Sequence, residues 1–491
     1  MLRHALLRCF SSPALPPLAA ASSLPAPAAA AAAAHLLAPL AAAAAAPPAL
    51  LDAPIRAAVR DFLAAPQPAQ ARALAALHQH ATPAAPPAAA LSRAAACSPQ
   101  QALPFLAAVR RSCAAVEAGA AAAPWARAVD AAALATLRPL YGPALTPLQQ
   151  LRLAPDPAAP WMPALLAAAQ GSDSVRPAAD ARDFARKFGW RRLVHGLHHA
   201  AQPEELLAVL YTALLPGVPG SLAALEAQSG GQAPLAGAVL PPLPTTAAFY
   251  SVGSPASVAR GLRLGTRIIY TLAGALAAAE GPPEARALTT FCTLSPVPGF
   301  MAWLRGAVAA AAERGGSSSS GEAAAQGRAL EAALQGCREA GAAGAALQQR
   351  HPGGSASALA PRLLLHLQLP RWWEEEQGEG SAALRALAAA ALEQYLLRTP
   401  LPPSGSGPAC KVAAFHLGNG ARLARLCGGG DPSPSGLARS AGFLVNYVYS
   451  EDGSRGLLET QGPRAASYAA SPAAVLAAQR PAVAWSVAGQ E

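Results

Sequence analysis

TTAAFYSVGSPASVARGLRLGTRIIYTLAGAL, residues Thr245 to Leu276, changes its periodicity halfway along. The first eight residues are rich in Thr, Phe, Tyr and Val and read as a short buried strand. After the glycines of the middle section, Ile268, Ile269, Leu272 and Leu276 recur at helical spacing. A second apolar run, FCTLSPVPGF (Phe291 to Phe300), follows the helix. Strand, Gly-containing loop, helix and a further apolar run predict a mixed α/β unit.

Working outward, ELLAVLYTALL (Glu205 to Leu215) reads equally as a strand or a helix. FLVNYVY, after Gly442, reads as a strand, and KVAAFHLGNG as an apolar run ending at a Gly-Asn-Gly turn near a strand end. Helix is expected again towards Val475. Before residue 157 the signals are helical: Ile55, Val59, Phe62 and Leu63 share one face, with Arg56 and Arg60 off it, and Leu106, Val109 and Cys113 repeat the pattern. Breaks such as ATPAAPPAAA separate these segments. A bundle used for packing or self-association is expected here. Between them, GGSSSSG, GAAGAA and GGSASA mark residues 313–357 as a low-complexity surface insertion.

Composition narrows the function classes. The chain has 491 residues, 53% of them hydrophobic, with 49 prolines and 41 glycines. Alanine supplies most of that excess and buries little area, so the mean hydropathy of +0.26 overstates the core. The formal charge is +10, carried almost wholly by arginine, since Lys187 and Lys411 are the two lysines. The arginines are scattered and not interleaved with aromatics, which argues against nucleic acid as partner. Seven cysteines without a CxxC pair read as free thiols of a reducing compartment, not as a zinc site. The first fifty residues carry Arg3, Arg8 and several serines, and the first acidic residue is Asp52, as in an organelle transit peptide. Prolines interrupt the alanine-rich stretch that follows, so no membrane span is expected.

Three places could carry chemistry. RGLRLGT (Arg260, Gly261, Leu262, Arg263, Leu264, Gly265, Thr266) opens directly into a helix. It is either a structural turn or a phosphate cradle, in which N–H groups at the helix start face an anion and the two arginines add charge. Ser295 precedes a proline and is either a turn residue or a substrate contact. His416 is either packed or catalytic; no Cys, Asp, Glu or second His lies at metal-ligating spacing, and no metal is expected.

Taken in order, PEELLAVLYTAL, AAFYSV, RGLRLGT, FCTLSPVPGFMAWL, VAAFHLGNGARL and SAGFLVNYVY resemble the malonyl-CoA decarboxylase family, over roughly Ser172 to Leu476. The resemblance implies an α+β protein: an N-terminal helical bundle followed by an acetyltransferase-like (GNAT) mixed α/β domain. The domains expected are a transit or disordered segment 1–50, a helical oligomerisation domain 51–157, a catalytic domain 158–480 with the insertion 313–357, and a tail 481–491. It implies decarboxylation of malonyl-CoA to acetyl-CoA and CO2, with Ser295 as proton acceptor and carboxylate contact and His416 as proton donor. Residues 260–266, Ile269, Ser295 and His416 would bind malonyl-CoA. No cofactor is implied, CoA being part of the substrate. A homo-oligomer, dimer or tetramer, is expected through the helices. The competing readings are a CoA-dependent N-acyltransferase of the same fold and a non-catalytic malonyl-CoA-binding protein. The family's Asn-Trp pair is expected after the histidine segment, where this chain reads LCGGGDPSPSG. An SKL-type peroxisomal terminus is absent from VAGQE, so the mitochondrial matrix is expected, with plastid and cytosol as alternatives.

Overall fold

The computed structural model describes residues 48–81, 86–119, 123–140, 148–172, 177–199, 205–231, 241–255, 259, 261–262, 264–277, 285–312, 322–339, 356–369, 371–374, 379–399, 409–450 and 484–487. Five helices come first: α1 (Pro48–Ala64), α2 (Gln67–Gln79), α3 (Pro87–Cys97), α4 (Ala102–Gly119) and α5 (Pro124–Leu140). The Pro-rich break before α3 ends with Pro87 at its first position, where a missing N–H costs nothing. Ile55, Val59 and Phe62 of α1 and Leu106, Val109 and Cys113 of α4 are fully buried, as their spacing predicts. Phe62 meets Phe105 edge-on at 5.3 Å. Buried Arg110 of α4 forks onto Asp130 of α5 at 2.6 and 3.0 Å.

Next come β1 (Leu148–Arg152), α6 (Met162–Ala167), α7 (Ala181–Arg186), β2 (Arg192–His199), β3 (Ala208–Leu215), α8 (Leu222–Gln228), β4 (Thr246–Gly253), α9 (Leu264–Ala277), β5 (Thr290–Thr293) and β6 (Ser295–Pro296). Helices α10 (Phe300–Ala312), α11 (Glu322–Glu339), α12 (Ala356–Leu367), α13 (Glu379–Glu393) and α14 (Lys411–Gly418) follow. The described chain closes with β7 (Arg422–Gly428), α15 (Pro434–Ser440), β8 (Leu444–Ser450) and β9 (Ala484–Val487).

The strands form one sheet in the order β1-β2-β3-β4-β5-β8-β7-β9, with β6 beside β8. Parallel pairing occurs at β4–β5 and β7–β9, and the other pairs are antiparallel. A parallel pair needs a crossover, and α9 lies in the one between β4 and β5. Strand β8 is shared: Val445 faces Ser295 of β6 on one side and Leu426 of β7 on the other.

Alternation along the strands gives the sheet two buried faces. One presents Leu193, Leu210, Phe249, Phe291, Val445, Tyr447 and Tyr449 to α9, α10 and α14, in a core that continues into α1–α5. The other presents Val194, Val209, Tyr211, Tyr250, Cys292 and Val448 to Met162 and Leu165 of α6 and Phe184 of α7. On this second face the Lys187 ammonium lies 4.6 Å from the Tyr211 ring. The Arg192 guanidinium lies 4.7 Å from the Tyr250 ring and pairs with Glu226 at 3.0 Å.

The architecture is a mixed α+β one, as expected; three local readings differ and one open reading is decided. Residues 51–157 are not all helical, because β1 already joins the sheet beside β2. ELLAVLYTALL resolves to strand β3, all eight residues of which are buried. KVAAFHLG is a helix and not a strand end: Ala413, His416 and Leu417 are its buried residues, an i, i+3, i+4 set. The unbroken apolar run Val412 to Phe415 is too short to distinguish the two periods. The insertion 313–357 contains α11, whose Ala324, Leu330 and Leu334 are buried, so its Gly/Ser runs flank an ordered helix. The expected transit segment to residue 47, the helix near Val475 and the last residues of the tail lie outside the described residues. None of the six described cysteines forms a disulfide. No described helix is long and apolar enough to cross a membrane.

Candidate active site

Ser295 enters the core on β6, just after β5 ends at Thr293. Its strand continues into a tight turn in which Gly299 has a φ of +85°, and a Cβ there would sit 2.7 Å from the Tyr395 hydroxyl. That hydroxyl donates to the Pro298 carbonyl at 2.6 Å, so the turn is anchored from α13's C-terminal extension. His416 arrives from α14, and its Nε2 lies 3.2 Å from Ser295 Oγ across 121 residues of chain. Ser295 is 4% exposed and His416 5%. A hydroxyl and an imidazole are thus held together almost out of contact with solvent.

Their partners give the cluster a direction. The Ser295 hydroxyl donates to Thr293 Oγ1 at 2.9 Å, and the Tyr447 backbone N–H donates to the same oxygen at 3.1 Å. With its one proton so used, Ser295 can only accept from His416 Nε2, which must then carry a hydrogen. His416 Nδ1 is left bare, to accept from the Tyr449 hydroxyl at 2.9 Å. The chain of donors therefore runs Tyr449, His416, Ser295, Thr293. The imidazole is stacked on Tyr447, with centroids 4.8 Å apart. Burial pushes its pKa down to about 3, so the ring is neutral at physiological pH. Burial likewise raises the Tyr447 and Tyr449 phenols well above their ordinary range. Asn446 buttresses the base of the cluster from the other side of β8, donating to the carbonyls of Thr293 at 2.8 Å and Pro219 at 3.0 Å.

Helix α9, which precedes β5, packs directly on α14. Thr266, in the first turn of α9, donates to Asn419 Oδ1 at 3.0 Å, and the Tyr270 hydroxyl donates to the Asn419 carbonyl. A Cβ on Gly265 would lie 3.3 Å from the Phe415 ring. Gly261 has a φ of +82°, and a Cβ there would come within 2.8 Å of Leu134 on α5. Leu264 is buried, Leu262 is packed against the same core, and Ile269 is 1% exposed inside it. Arg260 and Arg263 lie outside the described residues. Of the expected site residues, Ser295 and His416 touch each other, Gly265 and Thr266 reach them through α14, and Ile269 is a core residue of α9.

Sequence reasoning missed Thr293, Asn419, Tyr447 and Tyr449. The signal for the tyrosines was present: in FLVNYVY, positions 445, 447 and 449 alternate onto one face of a strand. Asn419 was read only as part of a turn, and it does cap α14.

The comparisons with known proteins agree with one another. A family model described as malonyl-CoA decarboxylase C-terminal domain matches residues 171–460. The mitochondrial malonyl-CoA decarboxylase of Anser anser anser is 27% identical over 285 residues, 57% of this chain and 48% of that protein. Its Mus musculus counterpart is 26% identical over 306 residues, 61% of this chain and 52% of that protein. The chain thus spans about half the length of the curated relatives it matches. In fold it is similar to the crystal structure of malonyl-CoA decarboxylase from Cupriavidus metallidurans, with a TM-score of 0.61 and 21% identity over 87% of this chain and 95% of that one. The structure from Rhodopseudomonas palustris gives a TM-score of 0.54 and 22% identity over 92% and 98% of the two chains.

Proposed function

Since the chain belongs to the malonyl-CoA decarboxylase family, we propose that it converts malonyl-CoA to acetyl-CoA and CO2 at the Ser295–His416 cluster. The observation that carries this reading is the 3.2 Å contact between those two side chains, inside the matched region and nearly closed to water.

The reaction breaks the bond between the substrate's carboxylate carbon and its α-carbon. The electron pair passes into the thioester as an enolate, so the substrate supplies its own electron sink and no further cofactor is invoked. When the substrate binds, the Ser295 hydroxyl turns its proton from Thr293 to the departing carboxylate and aligns it out of the carbonyl plane. A buried, dry setting removes the solvation on which that carboxylate's ground state depends. His416 gives its Nε2 proton to the α-carbon. The enolate carbon is a strong base, so a neutral imidazole suffices as acid when Tyr449 can return a proton to Nδ1. Residues 260–266 and the start of α9 bind the CoA phosphates, which is supported by the hydrogen bond tying Thr266 to α14.

The parallel β4–β5 pair joined through α9 supports an acetyltransferase-like (GNAT) catalytic domain over residues 158–480. The helices within 51–157 serve self-association, and the acid-free N-terminus together with the mitochondrial relatives supports a mitochondrial location.

The test is purified chain with malonyl-CoA and no amine acceptor. Release of CO2 and acetyl-CoA is expected. Ser295→Ala and His416→Ala should keep CoA binding and lose roughly 100- to 10,000-fold in kcat. No CO2 from the wild-type chain sinks the activity, and near-wild-type turnover in both variants sinks the site.

A further inference from the structure

The ladder that joins β5 and β6 to β8 is open just ahead of Ser295. Cys292 pairs with Val448 before the opening, and Ser295 pairs with Val445 after it. Both strands advance by three residues between these pairs, so the register is kept and Thr293 still stands opposite Tyr447. A regular ladder would join the Tyr447 N–H to the Thr293 carbonyl. Side chains take both groups instead. The Tyr447 N–H donates to Thr293 Oγ1 at 3.1 Å, and the Thr293 carbonyl accepts from Asn446 Nδ2 at 2.8 Å.

Asn446 is fully buried, on the same face of β8 as Leu444 and Val448 and opposite to Tyr447. Its partners fix its amide completely. The carbonyls of Thr293 and Pro219 can only accept, so Nδ2 faces both, at 2.8 and 3.0 Å. Oδ1 is left to accept from the Cys427 thiol at 3.3 Å. These partners belong to β5, to the loop between β3 and α8, and to β7, three parts of the chain far apart in sequence.

We propose that Asn446 is a positioning residue for Ser295: by engaging the Thr293 carbonyl it keeps the ladder open, which leaves the Tyr447 N–H to hold Thr293 Oγ1 where the Ser295 hydroxyl donates to it. Two acceptors of one residue, the Thr293 carbonyl and the Thr293 hydroxyl, compete for a single N–H. With Asn446 on the carbonyl, the N–H goes to the hydroxyl oxygen. The second lone pair of that oxygen takes the Ser295 proton at 2.9 Å, and Ser295 Oγ is thereby aimed at His416 Nε2, 3.2 Å away. A closed ladder would take the N–H from Thr293 Oγ1 and let that side chain turn from Ser295. Asn446 does all this from the face opposite His416, acting through Thr293 alone.

The kinetic arm of the test rests on the decarboxylase reading and the structural arm does not. Crystal structures of the full chain are compared with those of Asn446→Ala and of Asn446→Leu, the second side chain having nearly the volume of asparagine. Wild type should show the open ladder. In both variants the Tyr447 N–H should move to the Thr293 carbonyl, and the contact between Ser295 and Thr293 should be lost. Their kcat for CO2 release should fall about tenfold, with KM for malonyl-CoA changed less than about twofold. Adding Asn446→Ala to Thr293→Val should lower kcat no further, because the two residues act in series; a merely structural role would add the losses. A closed ladder in wild type, an open one in both variants, or additive losses overturns the proposal. Failure of both variants to fold overturns it too, making Asn446 a folding residue. A ladder that closes in variants of a chain releasing no CO2 supports the role of Asn446 and overturns the decarboxylase reading instead.

Discussion

The two faces of the sheet bury polar side chains by opposite means. On the face covered by α6 and α7, the Lys187 and Arg192 side chains lie over the rings of Tyr211 and Tyr250, and Glu226 pairs with Arg192. On the face covered by α9 and α14, the cluster Thr293, Ser295, His416 and Tyr449 contains no ion pair, and burial keeps the imidazole neutral. Charge fixed by ring faces and a carboxylate serves stability, because it cannot move without a large loss. Neutral groups linked donor to acceptor can pass a proton along without first separating charge. Burial alone therefore does not distinguish the two faces; what differs is whether a charge pair or a chain of hydrogen bonds satisfies the buried groups.

The largest expected effect comes from breaking the charged face. Arg192→Ala should cost about 2–3 kcal/mol in urea unfolding, since it strips Glu226 of its partner and uncovers the Tyr250 ring. The kcat of the molecules that remain folded should match wild type; an equal loss of kcat would show that the two faces are not separate in function. Acid sharpens the comparison next. His416 has a folded pKa of about 3 against an ordinary 6.5, so below pH 6.5 the unfolded chain binds a proton that the folded one refuses. Its contribution is intact above 6.5 and is lost as pH falls towards 3, at about 1.4 kcal/mol per pH unit. Comparing unfolding at pH 7 and pH 5, His416→Gln should lose about 2 kcal/mol less than wild type. His195, held down to about 4 by burial and by Arg152, adds a slope of the same sign that both proteins keep. The smallest effect is at Thr293. Thr293→Val removes the acceptor of the Ser295 hydroxyl and should lower kcat about tenfold at little change in KM, with Thr293→Ser recovering most of it.

The strand–loop–helix unit was legible because Thr245 to Leu276 shifts from strand composition to a helical period within one stretch. Ser295 and His416 were legible through the order of their motifs, while each taken singly stayed open between a local and a chemical role. Tyr449 and Asn419 were not legible, for a physical reason. Their significance lies in contacts with residues on other elements, and a strand's alternation says which face a side chain occupies without naming what covers it. KVAAFHLG failed differently: alanine's helical preference and a following Asn-Gly stop outweighed an apolar run too short to show its period. In the insertion, α11 buries Ala324, Leu330 and Leu334, a pattern that the neighbouring Gly/Ser runs outweighed in the composition of the segment.

The position of β8 in the sheet also has a consequence in time. Thr293 and Ser295 are held by Tyr447, Asn446 and Val445, all made roughly 150 residues later in synthesis. At ~5–20 residues per second, that interval lasts roughly 8–30 s. Throughout it β5 presents an unpaired edge, the kind of surface on which nascent strands add to one another. The serine waits there beside a loop and helix already made, while the imidazole follows it by 121 residues and the Tyr449 phenol comes later still. The hydrogen-bonded setting of Ser295 is therefore complete only once β8 is made, and a protease that cut ahead of β8 would sever it from Asn446, Tyr447 and Tyr449 without touching Ser295 or His416.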